Sequence, residues 1–239
     1  AGSRPMLEAV VREVTRPGMR EREKALALMR RVRDNQDRGL RKPNLFNGGD
    51  EEELLKRGAI MCNEVSRLYA CLCQVAGLPS RLFCAHISGH MMNEVYIDGK
   101  WCWIDAMKGI LPVNAKDELV SAWELWQDPQ LFERQPQAVW DEVRPPAILF
   151  GSAQRDPRNL AKTMAHNRDC YFHPREALAI GNYCAWEHSK YTFPWRIEAA
   201  DAGRLERARI GEALNRKKLG WPDHYVLPYL LEEELKLRA

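Results

Sequence analysis

The sequence has little net charge and no long run of apolar residues. Its formal net charge of +3 over 239 residues is too small to indicate binding to nucleic acid or to an anionic membrane surface. No stretch approaches the roughly 20 apolar residues that a membrane-spanning helix requires. Hydrophobic residues make up 45% and charged residues 29% of the chain, which is typical of a soluble globular protein. We therefore expect neither nucleic acid nor a membrane among its partners, and the oligomeric state is left open.

Disulfide and metal frameworks are also missing. The seven cysteines are odd in number and the chain is not small, which argues against a disulfide scaffold and favours reduced thiols in the cytoplasm. The sequence begins at Ala1 without a methionine, so a removed signal peptide stays open as an alternative. Cys84 and His86 share a strand face, but no second pair stands at a zinc-like spacing, and no acidic loop is typical of calcium. We expect no metal and no organic cofactor.

The pattern of apolar residues predicts an α+β protein. Helical spacing precedes residue 80, and an alternation of period two follows it. The predicted helices are 6–16, 20–37, 62–76 and 116–127, and the predicted strands are 80–88, 91–97 and 100–105. A connection at 136–160 leads to an aromatic cluster in 171–195 and to charged helical segments at 201–216 and 226–237. We place the core domain at 1–125 and a mainly helical C-terminal extension, packed on that core, at 126–239.

The stretch HMMNEVYIDGKWCWID, residues 90–105, is typical of a β-hairpin. Asp98-Gly99 is a strong signal for a two-residue turn, which places His90 diagonally from Asp105 on one face of the hairpin. Diagonal neighbours have Cα atoms about 7–8 Å apart, a gap that these two side chains can bridge. The opposite face carries the expected core residues Val95, Ile97, Cys102 and Ile104. The same pair is also compatible with ordinary polar groups at the ends of a hairpin.

Cys62 stands at the start of a predicted helix. A helix N-terminus offers unpaired N–H groups and a positive dipole end, and both favour a thiolate. Cys62 also lies on the apolar stripe expected to face the sheet, so packing of helix and hairpin would bring it toward His90. A thiol activated by a histidine that a carboxylate orients is sufficient for acyl transfer through a thioester. The alternative is a small buried hydrophobic residue, the commonest state of a free cysteine.

Two segments, GAIMCNEVSRLYACLCQVAGLPSR and HMMNEVYIDGKWCWID, resemble the transglutaminase-like superfamily. Members share a Gly-x-x-Cys stretch entering a helix, a Gly-aliphatic-Pro-x-Arg exit, and then a His, a Glu-Val-Tyr-type strand, a turn, a Trp and an Asp. The matching residues are Cys62, Gly77 to Arg81, His90, Glu94 to Tyr96, Trp101 and Asp105. The resemblance covers residues ~20–110. It implies a papain-like α+β core, in which a Cys-bearing helix packs on an antiparallel sheet.

The resemblance also implies roles for individual residues. Cys62 would be the nucleophile, His90 the general base and acid, and Asp105 the residue that orients His90. Met92 replaces an aromatic residue frequent in the family and is expected to shape the substrate slot. Trp101 and Trp103 are expected to bind substrate or, as strand residues, to pack in the core.

The oxyanion hole is less well defined by the sequence. It would use the backbone N–H of Cys62 and a second donor from upstream in the chain. Gln36, Asn44 and Asn47 are the candidates for this donor, and each is also an ordinary loop or helix-end residue.

The expected function is cysteine-dependent hydrolysis or acyl transfer at a peptide, amide or ester carbonyl. A bacterial-type peptidase, amidase or small-molecule acyltransferase fits better than a protein cross-linker, because the length leaves no room for large accessory β-domains. The alternative is a non-catalytic binding or scaffolding protein on the same fold. Such relatives typically lose the Cys or the His, and this sequence has all three residues.

Overall fold

The structure, a computed structural model, describes residues 5–40, 51–85, 89–144 and 156–173. All of them lie in one compact unit that spans Arg4–Ala179. The helices are α1 (Pro5–Val14), α2 (Glu21–Leu40), α3 (Glu51–Arg57), α4 (Cys62–Val75), α5 (Ala122–Gln127), α6 (Gln130–Glu133), α7 (Gln137–Glu142), α8 (Pro157–His166) and α9 (Arg168–Tyr171). The strands are β1 (Ser80–Ala85), β2 (His90–Ile97) and β3 (Lys100–Ile104). They form an antiparallel sheet in the order β1-β2-β3, so the described fold is α+β, as predicted.

Helix α4 is the central helix of the described unit. Its apolar residues recur at helical spacing, and Val65, Leu68 and Leu72 are completely buried. The helix ends where Gly77 takes a φ of +82° and the N–H of Leu78 donates to the carbonyl of Cys73 at 2.8 Å. This arrangement is a glycine C-cap, and the following Pro79 cannot continue the helix. The helix predicted from the sequence is therefore confirmed with nearly the same bounds.

The hairpin of β2 and β3 has the predicted register. Asp98 and Gly99 have φ angles of +50° and +89°, as a two-residue turn of type I′ requires. Ile97 pairs with Lys100, and Asn93 pairs with Ile104. The same register extended by one residue places Met92 opposite Asp105 and His90 diagonal to it, on the face that the sequence predicted.

The sheet is buried on both faces, whereas the sequence indicated a core on one face only. Helix α4 covers the predicted core face, where Ser66 donates to the Met91 carbonyl at 2.9 Å and Asn93 donates to the Ser66 carbonyl at 2.9 Å. The opposite face packs against residues that follow β3. There the ring of Trp103 meets Phe132 and Phe172 with centroids 5.7 and 5.3 Å away. The strand pattern alone did not indicate this second layer.

The helix predicted at 116–127 is wrong in its first half. Helix α5 begins only at Ala122, after Ser121 caps it by accepting a hydrogen bond from the Glu124 N–H. Before it, the side chain of Asn114 accepts the N–H groups of Lys116 and Glu118 at 2.9 and 3.1 Å, which forms a turn. This turn lets Leu119 form a β-bridge with Val113.

A tight loop after β3 brings Asp105 back toward its own backbone. The Asp105 N–H donates to the Ile110 carbonyl at 3.0 Å, and the Asp105 carbonyl accepts the N–H groups of Gly109 and Ile110. Gly109 has a φ of +78°, and a Cβ placed on it would lie 2.6 Å from the carbonyl oxygen of Glu142. Only glycine therefore fits at this position without displacing backbone atoms.

Gly109→Ala should lower the free energy of unfolding by about 2–5 kcal/mol, since left-handed backbone strain adds to the cost of moving a packed carbonyl. Gly18→Ala is the matched control, because Gly18 has a φ of +84° and nothing within 4 Å of the added Cβ. The control should lose only about 1–2 kcal/mol. Urea unfolding of both variants measures the difference, and equal losses would contradict the close contact with Glu142.

The domain boundary near residue 125 stays a prediction, as does the packing of the whole extension. Within the extension, helices are found in the described segments 126–144 and 156–173. Most of the predicted aromatic cluster and both charged helical segments, 201–216 and 226–237, lie outside the described residues.

Candidate active site

Cys62 is the first residue of α4 and is half-buried. The chain before it is fixed by Glu64, whose carboxylate accepts the N–H of Ile60 at 3.0 Å and contacts the Met61 N–H at 3.5 Å. Arg57 pairs with the same carboxylate. The Cys62 sulfur lies 3.9 Å from the carbonyl of Gly89, the residue directly before β2. The start of the helix and the start of the strand therefore meet at the thiol.

His90 and Asp105 are in direct contact. Nε2 of His90 lies 2.7 Å from Oδ2 of Asp105, with 10% of the His90 side chain exposed and none of the Asp105 side chain. This contact leaves Nδ1 of the ring as the nitrogen available to Cys62, whose thiol pKa is lowered by the neighbouring His90. The three residues that the sequence singled out thus lie together in the order Cys62, His90, Asp105. Such an arrangement can activate a thiol and hold the imidazole in one orientation.

The surroundings shift the pKa values of both Cys62 and His90. Burial raises the pKa of the Cys62 thiol, but the hydrogen bond and charge of His90, the Met91 backbone and the charge of Lys108 together lower it below its ordinary value. Burial and Lys108 lower the pKa of His90, yet Asp105 and the Cys62 hydrogen bond outweigh them and raise it. The two shifts have opposite directions, as expected for a thiolate–imidazolium pair.

Asp105 stays ionised. Burial raises the pKa of its carboxyl group, but the charges and hydrogen bonds of Lys108 and His90 hold that pKa well below the usual range. Its other oxygen, Oδ1, accepts the backbone N–H of Lys108 at 3.0 Å. Both carboxylate oxygens are thus held in place, and the carboxylate cannot rotate away from His90 without losing these bonds.

Two further residues that the sequence did not reveal act on this cluster, Lys108 by direct contact and Tyr171 through the charge of Asp105. Nζ of Lys108 lies 2.7 Å from Oδ2 of Asp105 and 2.5 Å from Nε2 of His90. Tyr171 of α9 is half-buried, and burial followed by the negative charge of Asp105 raises the pKa of its phenol. The spacing of Asp105 and Lys108, three residues apart before a glycine, was the only sequence signal for the lysine. For Tyr171 there was none, because its position depends on how α9 packs.

The three predicted substrate-binding residues are buried. Met92 and Trp103 are completely buried and Trp101 is 3% exposed. The guanidinium of Arg81 lies over the Trp101 ring at 3.9 Å, and Trp103 packs on Phe132 and Phe172. These contacts support packing roles, and a contact of any of the three with substrate stays a prediction.

The second donor of an oxyanion hole is still unassigned. Gln36 is buried, and its Nε2 donates to the carbonyl of Ile60 at 3.1 Å, so this amide supports the segment that leads into Cys62. Asn44 and Asn47 lie outside the described residues.

The described residues also bear on metal and membrane binding. They contain no group of three or more His, Cys, Asp or Glu side chains that could hold a metal ion. His86 and the side chain of Cys84, the weak candidate pair, are not among the residues described. No helix in the described segments is both long and apolar enough to cross a bilayer.

Comparison with known proteins supports the resemblance. Residues 8–106 match the family model described as the transglutaminase-like superfamily, and the match includes Cys62, His90 and Asp105. No curated protein and no solved structure matches the chain. The superfamily includes cysteine-dependent enzymes, and the matched segment forms the helix-on-sheet core described above. Residues 8–106 of the chain therefore belong to the transglutaminase-like superfamily.

Proposed function

We propose that the protein is a cysteine-dependent enzyme that hydrolyses or transfers acyl groups at an amide or ester carbonyl. The observation that carries this proposal is the position of His90, whose Nε2 lies 2.7 Å from Oδ2 of the buried Asp105. The residue before it, Gly89, has its carbonyl 3.9 Å from the sulfur of Cys62, so the His–Asp pair begins beside the thiol. The opposite pKa shifts of Cys62 and His90 support the same conclusion.

The first half of the reaction forms a thioester. His90 takes the proton of Cys62 on the ring nitrogen that faces the sulfur, and the thiolate attacks the carbonyl carbon of the substrate. When the tetrahedral intermediate collapses, the bond to the amine or alkoxide breaks and His90 returns the proton to that leaving group. Asp105 accepts the Nε2–H of His90 throughout and stabilises the imidazolium.

The second half releases the acyl group. Water or an amine attacks the thioester carbonyl while His90 accepts its proton, and the Cys62 thiolate leaves as the product forms. Water gives hydrolysis, and an amine gives transfer. The residues described favour neither acceptor, so the proposal covers both reactions, with a peptidase, amidase or small-molecule acyltransferase as the expected kinds of enzyme.

Acylation of Cys62 tests this proposal directly. Incubation with a panel of activated aryl esters and anilides, followed by rapid acid quenching and peptide mass spectrometry, should show one acyl adduct on the peptide that contains Cys62. The adduct should be absent in Cys62→Ala and should disappear with time in wild type as turnover proceeds. Cys170, also half-buried, is the internal control and should remain unmodified.

Two outcomes would count against an enzyme. Equal labelling of Cys62 and Cys170 would show that the reagents modify any accessible thiol. No adduct on Cys62 with any member of the panel would favour the alternative, a binding or scaffolding protein that has kept the three residues.

A further inference from the structure

Lys108 occupies an unusual place for a lysine. The residue is 2% exposed, although lysine side chains are almost never buried unless paired. Its Nζ contacts Asp105 Oδ2 at 2.7 Å and His90 Nε2 at 2.5 Å. Its carbonyl accepts the N–H of Arg144 at 2.8 Å, and its own N–H donates to Asp105 Oδ1 at 3.0 Å. The backbone on both sides of this lysine is thus fixed, and the ammonium is held against the His–Asp pair.

Asp105 Oδ2, His90 Nε2 and Lys108 Nζ lie within hydrogen-bond distance of one another, but the three pairwise hydrogen bonds cannot all form in every protonation state. Oδ2 of Asp105 can accept hydrogen bonds from both His90 Nε2 and Lys108 Nζ. The two nitrogen atoms can bond each other only when His90 Nε2 carries no hydrogen, because an ammonium has no lone pair. When Nε2 does carry its hydrogen, it donates to Asp105, and two cationic or donor groups face each other. In the proposed mechanism Nε2 keeps its hydrogen in both states of the ring, so the ammonium acts through its charge, which opposes the imidazolium form that Asp105 favours.

We propose that Lys108 is a positioning residue that fixes the Asp105 carboxylate and, through its charge beside Nε2, sets the pH range over which His90 is protonated. The inference rests on the proposed function, in which His90 must both accept and return a proton at each turnover. The Asp105 carboxylate stabilises the imidazolium, and the adjacent ammonium partly offsets that stabilisation. This offset favours return of the proton to the leaving group.

Among the described residues, the titratable groups around His90 come from three elements. Helix α4 contributes Cys62, the loop after β3 contributes Asp105 and Lys108, and α9 contributes Tyr171, whose phenol pKa is raised by burial and then by the charge of Asp105. With His90 protonated and Cys62 ionised, the carboxylate and thiolate balance the imidazolium and ammonium. Without the ammonium the cluster would carry one net negative charge in a buried place, which favours keeping the proton on His90.

Removal of the ammonium should therefore raise the pH at which His90 titrates. In Lys108→Met and Lys108→Gln the NMR midpoint of the His90 imidazole should move up by about 1–3 pH units. Lys108→Arg retains the cation and should remain close to wild type. The chain has six histidines, and the NMR signal of His90 is identified as the one that disappears in His90→Gln. Lys100→Met is the matched control, since it removes a charge from the same hairpin at a residue paired with Glu124, and it should leave His90 unchanged.

A second measurement needs no substitution at Lys108. In wild type, the ¹⁵N resonance of Lys108 Nζ should shift at the pH at which His90 titrates, because the charge appears 2.5 Å away. An Nζ chemical shift that does not change as His90 titrates would overturn the proposal, even if the neutral variants fail to fold. Unchanged His90 midpoints in both folded neutral variants would also overturn it.

These readouts are independent of the proposed activity. Where Cys62 acylates in wild type, the alkaline limb of the pH–rate profile should move upward in Lys108→Met together with the His90 midpoint. Where Cys62 fails to acylate, the NMR titrations still report whether Lys108 controls His90. Failure of the proposed function and failure of this inference are thus distinguishable.

Discussion

His90→Ala should reduce turnover of any amide or ester substrate by about 10⁴- to 10⁶-fold, the range typical for loss of the histidine in a triad. The variant loses both the group that accepts the Cys62 proton and the group that protonates the leaving group. It should also lose the lowered pKa of Cys62, because His90 is the largest favourable influence on that thiolate. Steady-state kinetics on a substrate found by acylation of Cys62 measures the effect.

His166→Ala is the matched control for this experiment. His166 is exposed in the last turn of α8, so its loss should change kcat/KM by less than about twofold, as is usual for a surface substitution. A loss below tenfold in His90→Ala, with both variants folded, would show that His90 is not the proton-transfer group.

Asp105→Ala should destabilise the protein by about 3–5 kcal/mol, as is usual when one member of a buried ion pair is removed. Asp105 is completely buried and Lys108 nearly so, hence the substitution leaves an ammonium without its carboxylate. Turnover should also fall by about 10⁴-fold, because His90 loses the group that orients it. Urea unfolding and steady-state kinetics measure the two effects separately.

Two further variants show whether the lost stability of Asp105→Ala comes from charge or from packing. Asp128→Ala breaks the exposed pair with Arg134 and should cost at most about 1 kcal/mol. The double variant Asp105→Ala with Lys108→Met removes both buried charges, so it should recover part of the lost stability but none of the activity. A double variant no more stable than Asp105→Ala would contradict the unpaired-ammonium explanation.

The loss of unfolding free energy caused by Asp105→Ala should also depend on pH. The pKa of Asp105 in the folded protein lies well below its value in an unfolded chain, near ~3.9. A lowered folded-state pKa contributes stability that is complete above about pH 5 and is lost as the pH falls toward the folded-state value. The gap in unfolding free energy between wild type and variant should therefore narrow between about pH 5 and pH 3. A gap of constant size would argue against ionisation of Asp105 as the source of its stabilising effect.

The sequence predicted the parts of the site that depend on local rules. The Asp98-Gly99 turn sets the register of the hairpin, and that register alone brings His90 to Asp105. The start of α4 at Cys62 follows from the apolar spacing behind it. The sequence of a single helix or hairpin determines each of these features, through apolar periodicity in the helix and turn residues in the hairpin.

Other features depend on contacts between distant segments. Lys108 is held near His90 by a loop that the Arg144 backbone supports, and no pattern within residues 105–109 indicates that support. The second buried face of the sheet arises because Phe132 and Phe172 reach Trp103 from elements that follow. Likewise, the spacing of Leu119 and its neighbours fitted a helix as well as the turn and bridge that formed. In each case the deciding interaction lies far away in sequence.

The pH dependence of Cys62 alkylation by iodoacetamide, measured by peptide mass spectrometry in wild type and in His90→Ala, tests the central claim most directly. Wild-type Cys62 should react well below the pH at which a free thiol ionises, near ~8.5, and this reactivity should be lost in His90→Ala. Cys170 provides the comparison within each sample. A Cys62 that reacts with the same pH profile as Cys170 in both proteins would contradict a working Cys62–His90–Asp105 site.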